Sequence, residues 1–182
     1  YLKRKNEQAK ANAAIKKAKL DEIRLIFEEL NAVEPIKKKD IPEGFKALGT
    51  HLFTVEKFTA DGTHDKFKSQ LVSHGNEQDT LLYPDRSSPT VGIHTIMMGL
   101  IIASCNTDYV VGKLDMKGAF IQTEMTRTPV YIKCVGTLRK LIVETYPRLK
   151  AYVDDSGAIY CKLKKALYGC VQASKLWYRQ LC

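Results

Sequence analysis

At 182 residues the chain is long enough for one domain with a real core, or for a domain with an accessory segment, and too short for two large domains. Its 29 Lys and Arg against 20 Asp and Glu give a net charge of +9, the profile of a protein that meets polyanions, although a solvated basic surface accounts for the charge alone equally well. Cys105, Cys134, Cys161, Cys170 and Cys182 are odd in number and form no C-x-x-C pair, and His51, His64, His74 and His94 lack metal-ligand spacing; a reducing compartment is expected, with neither a disulfide framework nor a zinc site.

Residues 1–33 are predicted to form a helix, because Lys, Ala, Glu and Leu dominate, no Gly or Pro intervenes, and Leu20, Ile23, Phe27 and Leu30 recur on one face. Its first half carries Lys3, Arg4, Lys5, Lys10, Lys16, Lys17 and Lys19 against Glu7, which reads as a solvated extension, with a loose phosphate-binding arm as the alternative. The basic start is followed by no apolar stretch, so no secretory signal is present and an intracellular location, cytoplasmic or nuclear, is expected. Pro35 is read as the end of the helix, and residues 37–44 (KKKDIPEG) as a linker. Residues 50–75 then read as two strands joined at Asp61-Gly62, a strong hairpin signal, decorated by Lys57, Lys66 and Lys68.

After a polar loop at 76–90, Ile93, Ile96, Met97, Leu100 and Ile101 mark a helix expected to lie in the core; the apolar run at 95–105 falls short of the ~20 residues of a membrane span. The segment YVVGKLDM is predicted to be a buried strand ending in Asp115, a favoured place for a catalytic or metal-binding carboxylate, a strand-capping Asp being the plainer reading. A strand at 129–134, a helix at 136–151, a strand at 158–163 and a helix carrying Leu176, Trp177 and Leu181 complete an α+β arrangement. The absence of an initiator Met and a C-terminus in mid-pattern (LWYRQLC) lead us to expect that both ends are cut from a longer polypeptide.

Three blocks, LDMKGAFIQ (114–122), VYIKC (130–134) and KLKKALYGCVQASKLWY (162–178), together resemble the reverse transcriptase of copia-type retrotransposons. DGTHDKFKSQLVSHG (61–75) is similar to the family's fingers segment, and LYPDRSSPTVGIHTIMMGLIIAS (82–104) to its Ser-Pro segment and following helix. The resemblance implies a right-hand polymerase: a basic helical extension and linker at 1–40, a fingers-like region at 41–110, and at 111–182 a partial palm truncated before the second carboxylate motif. It implies two Mg²⁺ ions in the full-length parent, an RNA template, a DNA primer and deoxynucleotide triphosphates as partners, and neighbouring segments of a polyprotein, with no membrane. By the same resemblance Asp115 is the first metal-binding and catalytic carboxylate, with the Met116 carbonyl close to the nucleotide-side metal. Phe120 is the aromatic gate against a ribose 2′-hydroxyl, or else core filler. Tyr168 and Gly169 form the turn under the incoming nucleotide, or else an ordinary strand-to-helix turn, and Lys68 neutralises triphosphate charge or is a solvent lysine. Gln70 departs from the family's Arg, Val171 from a frequent Lys and Ser174 from a frequent Pro, so a bidentate phosphate contact is lost at residue 70.

Tyr152-Val153-Asp154-Asp155 imitates the polymerase metal box, but it precedes the L-Y-G block instead of following it, and YPRLK before it does not make a buried strand. It is read as an exposed acidic turn, the second carboxylate pair being expected beyond Cys182. The primary expectation is thus a reverse transcriptase fragment, inactive by itself, whose parent performs template-directed DNA synthesis; the rival is a non-catalytic transposon remnant that at most binds nucleic acid. A metabolic phosphate-binding enzyme is disfavoured by the lack of a Gly-rich phosphate loop.

Overall fold

A computed structural model describes residues 2–84, 86–125 and 128–182. Tyr1, Asp85, Thr126, Arg127 and the side chains of residues 2–7 lie outside the described residues, and with them the charges of Lys3, Arg4, Lys5 and Glu7 and one position of the Ser-Pro segment.

Helix α1 (Leu2–Arg24) is continued by a π-helical turn, Leu25–Glu29, closed by the bonds Leu30 N–H to Leu25 O and Ala32 N–H to Ile26 O. Asn31, at φ +46°, ends it, since Asn tolerates the left-handed conformation that stops a helix. The expected terminator, Pro35, instead sits inside a strand, β1 (Val33–Ile36), which the sequence reading had placed outside any sheet. Pro is admissible there because β1 is an edge strand: it pairs on one side only, antiparallel to β5 (Ile159–Leu163), with Pro35 opposite Cys161.

The remaining strands are β2 (Ala47–Phe58), β3 (His64–Ser73) and β4 (Tyr131–Cys134), giving one mixed five-stranded sheet in the order β1-β5-β4-β2-β3. Only the first residues of β2 pair with β4, in parallel from Ala47↔Tyr131 to Gly49↔Lys133, while the rest of β2 runs out as the expected hairpin with β3. Ile132↔Cys161 and Cys134↔Ile159 put four buried side chains on one face, in the same core cluster as Ile23 of α1, Ile26 of the π-helical turn, and Leu138, Leu141 and Ile142 of α3 (Gly136–Thr145). Each fully buried Ile or Leu contributes about 1.5–3 kcal/mol. Phe27 and Tyr146 stack at 6.0 Å, Tyr146 donates its hydroxyl proton to Glu28, and Lys16 pairs with Glu144 at 2.6 Å, joining the two helices.

Two further expectations are corrected. Helix α2 (Ile93–Ser104) forms, but none of its residues is buried, and its Ile, Leu and Met side chains face outward on every side. The segment 109–116 is not a strand: Val110 is 94% and Leu114 81% exposed, and the backbone is irregular. A strand needs a partner for its N–H and C=O groups, and among the described residues no strand runs beside 109–116; without that strand α2 has no sheet to cover. Among the described residues no helix is long and apolar enough to cross a membrane.

Candidate nucleotide site at the edge of the sheet

Of the sequence-predicted residues, Lys68 lies on β3, and Tyr168 and Gly169 pack against its free edge. Ser69, Leu71 and Ser73 turn their side chains into the protein and are buried, while Lys68, Gln70 and Val72 alternate onto the other, partly open face. Two separate elements fill the edge. The Glu22 carboxylate of α1 accepts the Leu71 N–H at 3.0 Å, and one pleat further on the Ser73 N–H donates to Tyr168 O at 2.8 Å, where Val72 and Tyr168 make a short parallel bridge.

The turn after Tyr168 is pressed against the strand. Gly169 has φ +89°, and a Cβ on it would stand 2.0 Å from Ser73 O; a Cβ on Gly75 would stand 1.8 Å from Gly169 O. Both positions therefore require glycine, the first twice over. Ser73 Oγ donates to Tyr168 O at 3.2 Å and lies 3.2 Å from Cys170 Sγ. Gln78 and Gln172, 94 residues apart and both buried, join Nε2 to Oε1 at 3.0 Å, and Gln78 Oε1 accepts the Val171 N–H at 2.9 Å. Gln172 is the N-cap of α4 (Ala173–Leu181), which packs back onto the turn Phe120–Gln122.

That turn carries Phe120. Buried Ile121 anchors it, Gln122 donates to Lys117 O at 2.7 Å, and Gly118 at φ +65° reverses the chain before it. The half-buried rings of Phe120 and Tyr168 meet at 5.3 Å. Burial, then the carboxylates of Glu22 and Asp115, push the Tyr168 phenol above its ordinary value. Burial likewise raises Glu22 above the usual carboxylate range, opposed by the Leu71 N–H and the charge of Lys68. Of the predicted residues, then, the structure brings Phe120 and Tyr168 into ring contact with Gly169 next along the chain, while Lys68 stands exposed on β3. Asp115 and Met116 stand exposed on the irregular segment. Glu22, Ser73, Gly75, Gln78 and Gln172 were not singled out from sequence; their partners lie far along the chain, and Gly75, inside the LVSHG block, carried the one local signal.

Asp154 belongs to a different place. Its carboxylate accepts from Ser156 Oγ at 2.6 Å and from the Ala158 N–H at 2.8 Å, its own N–H donates to Ala158 O at 2.9 Å, and Ser156, the Ala158 N–H and Lys38 hold it below the usual carboxylate range. It closes the turn into β5. A cavity of about 290 Å³, lined among others by Phe45, Glu77, Tyr83 and Tyr131, touches the candidate surface only through Gln78.

Residues 35–182, most of the chain, match the sequence profile of the reverse transcriptase (RNA-dependent DNA polymerase) family. The chain belongs to that family. Two Arabidopsis thaliana proteins, the retrovirus-related Pol polyproteins from transposons RE2 and RE1, are each 29% identical to it over 142 residues, covering 77% of this chain and 9% of their own length. This reverse transcriptase domain therefore spans less than a tenth of the curated relatives it matches. No solved structure gives a significant match.

Proposed function

We propose that the chain is the fingers and the first part of the palm of a copia-type RNA-directed DNA polymerase, with residues 1–40 as a basic helical extension, 41–110 as fingers and 111–182 as partial palm. The observation that supports this reading is the ring contact of Phe120 with Tyr168, beside Gly169, which joins two motif segments some fifty residues apart in the chain.

In this reading the Tyr168–Gly169 turn and Phe120 form the floor and wall on which a nucleotide base and sugar rest, the ring of Phe120 excluding a ribose 2′-hydroxyl. Lys68 stands on the open face of β3 toward a triphosphate, and Lys57 and Lys66, opposite one another on the exposed end of the hairpin, take template phosphates. Phe58, His64 and Phe67 beside them offer rings for base stacking, with His64 5.0 Å from Phe67. Divalent ions, when bound, would stabilise the attacking and leaving oxygens of phosphoryl transfer. The donor set here does not hold such an ion unaided: Mg²⁺ takes carboxylates together with substrate phosphates, and among the described residues no group of three Asp, Glu, His or Cys converges. Asp115 fits as one ligand, and we propose that the other carboxylates come from outside these residues.

Primer extension on an RNA template tests this with three proteins: the chain, a version carrying downstream sequence, and that version with Asp115→Asn. Extension by the second alone is expected; extension by the 182-residue chain, or by the Asp115→Asn form, contradicts the proposal. A remnant that only binds nucleic acid would show no extension in any of them. Binding in either case weakens steeply with salt, each lysine-phosphate contact adding roughly 0.7 to the logarithmic slope on single strands.

A further inference from the structure

We infer that Gln78 and Gln172 are positioning residues: a buried amide latch that fixes the Tyr168–Gly169 turn on β3 and so sets the Phe120–Tyr168 surface for a nucleotide. The second half of this statement rests on the polymerase reading; the first does not.

Buried side-chain amides are hydrogen-bonded in folded proteins, and the bonds are directional, so a satisfied pair fixes register as well as filling space. Here Gln78 uses both ends of its amide, Oε1 for the Val171 N–H and Nε2 for Gln172 Oε1. On the near side of the turn, Tyr168 O is held by the Ser73 N–H and by Ser73 Oγ. Between these two fixed points lie only Gly169 and Cys170; Gly169 is against Ser73 O, and Cys170 Sγ is against Ser73 Oγ. The turn has no slack in which to adjust Tyr168.

The latch also reaches the opposite wall. Gln172 occupies the N-cap position of α4, its side chain engaged by Gln78 and making no cap bond to the helix, and α4 rests on the Phe120–Gln122 turn, so a shift of Gln172 displaces both the support of Phe120 and the strand-side attachment of Tyr168. Gln78 itself closes the short turn Gly75–Glu77, donating its backbone N–H to Gly75 O at 3.0 Å, which ties the latch to the end of β3. An apolar pair of equal volume would pack this space but would leave the Val171 N–H without an acceptor.

Nuclear magnetic resonance on the full chain tests the inference. Gln78→Met keeps length and removes the amide, Gln78→Glu keeps the acceptor for Val171 and accepts from Gln172 once that amide turns over, and Gln172→Met spares the Val171 bond. In Gln78→Met, amide exchange at Ser73 and Val171 is expected to quicken about ten- to thirty-fold, the scale of one to two lost hydrogen bonds. Phe120–Tyr168 ring contacts weaken, exchange at Ile132 and Ile159 stays as in the unaltered chain, and Gln78→Glu restores the pattern. Gln172→Met gives the same pattern at smaller amplitude and serves if Gln78→Met does not fold. Unchanged exchange and ring contacts overturn the latch, and so does equal acceleration of every strand amide, the mark of a plain core residue. Titration with Mg²⁺·dATP then reads the functional half: a response at Tyr168 that is lost in Gln78→Met and regained in Gln78→Glu supports it. An equal response in the unaltered chain and Gln78→Met overturns the positioning role alone, whereas no response in the unaltered chain overturns the nucleotide reading and leaves the exchange result standing.

Discussion

Gly169→Ala isolates the closest contact in the candidate site, because Gly44 provides a matched control. The two glycines have φ +89° and +88°, so an alanine at either pays the same left-handed strain, about 1–2 kcal/mol. Around Gly44 nothing lies within 4 Å of an added Cβ, whereas at Gly169 the methyl would stand 2.0 Å from Ser73 O and 2.8 Å from Val72 Cγ1. Backbone cannot yield by that much, so the turn must leave β3 and the two Ser73 bonds to Tyr168 O break, adding about 2 kcal/mol at roughly 1 kcal/mol each. For a domain of this size 1 kcal/mol moves the melting temperature by about 2–4 °C. Gly44→Ala should therefore melt about 2–8 °C low and Gly169→Ala about 6–16 °C low, measured by circular dichroism. Equal shifts in the two variants would refute the close packing of the turn on the strand.

Glu22→Ala leaves the Leu71 N–H unpaired and should cost about 1–3 kcal/mol, while Glu22→Gln keeps the acceptor. Because burial raises the folded-state pKa of Glu22, its ionisation weakens the fold as pH rises from the unfolded toward the folded value; Glu22→Gln should be the more stable at neutral pH, and chemical denaturation below the ordinary Glu range should find the two equal. Asp154→Ala should lose about 1 kcal/mol with the Ser156 and Ala158 bonds. Its folded-state pKa is lowered, so that difference is present above the ordinary Asp value and vanishes in melting curves taken as pH falls through the folded value. Ellman's reagent on the native chain should label Cys105 and Cys182 quickly and the buried Cys134, Cys161 and Cys170 only on unfolding.

Periodicity and turn chemistry exposed most of the local structure. Asp61-Gly62 located the hairpin, and the short apolar runs YIKC and AIYCKL were read as the strands that became β4 and β5, both buried at most positions. Pro35 misled because edge position, which makes a proline tolerable, is a property of the sheet and not of the neighbouring residues. The segment 109–116 and α2 misled for the opposite reason: both have the apolar content of buried elements, but burial needs a partner surface, and among the described residues neither is buried against one. In the candidate site, the L-Y-G turn and Phe120 were legible as motif positions. What holds them was not, since Glu22 reaches Leu71 across 49 residues and Gln78 reaches Gln172 across 94. Asp154 shows the converse: two adjacent carboxylates make a good motif, and hydrogen bonding to Ser156 and Ala158 gives the first of them an ordinary structural task.

Paramagnetic broadening by Mn²⁺·dATP tests the central claim most directly, because the nucleotide carries the ion to whichever carboxylate completes its shell. Signal loss should centre on residues 115–120 and 168–169 and disappear in Asp115→Asn. Broadening centred on Asp154 and Asp155, unaffected by that substitution, would contradict the account.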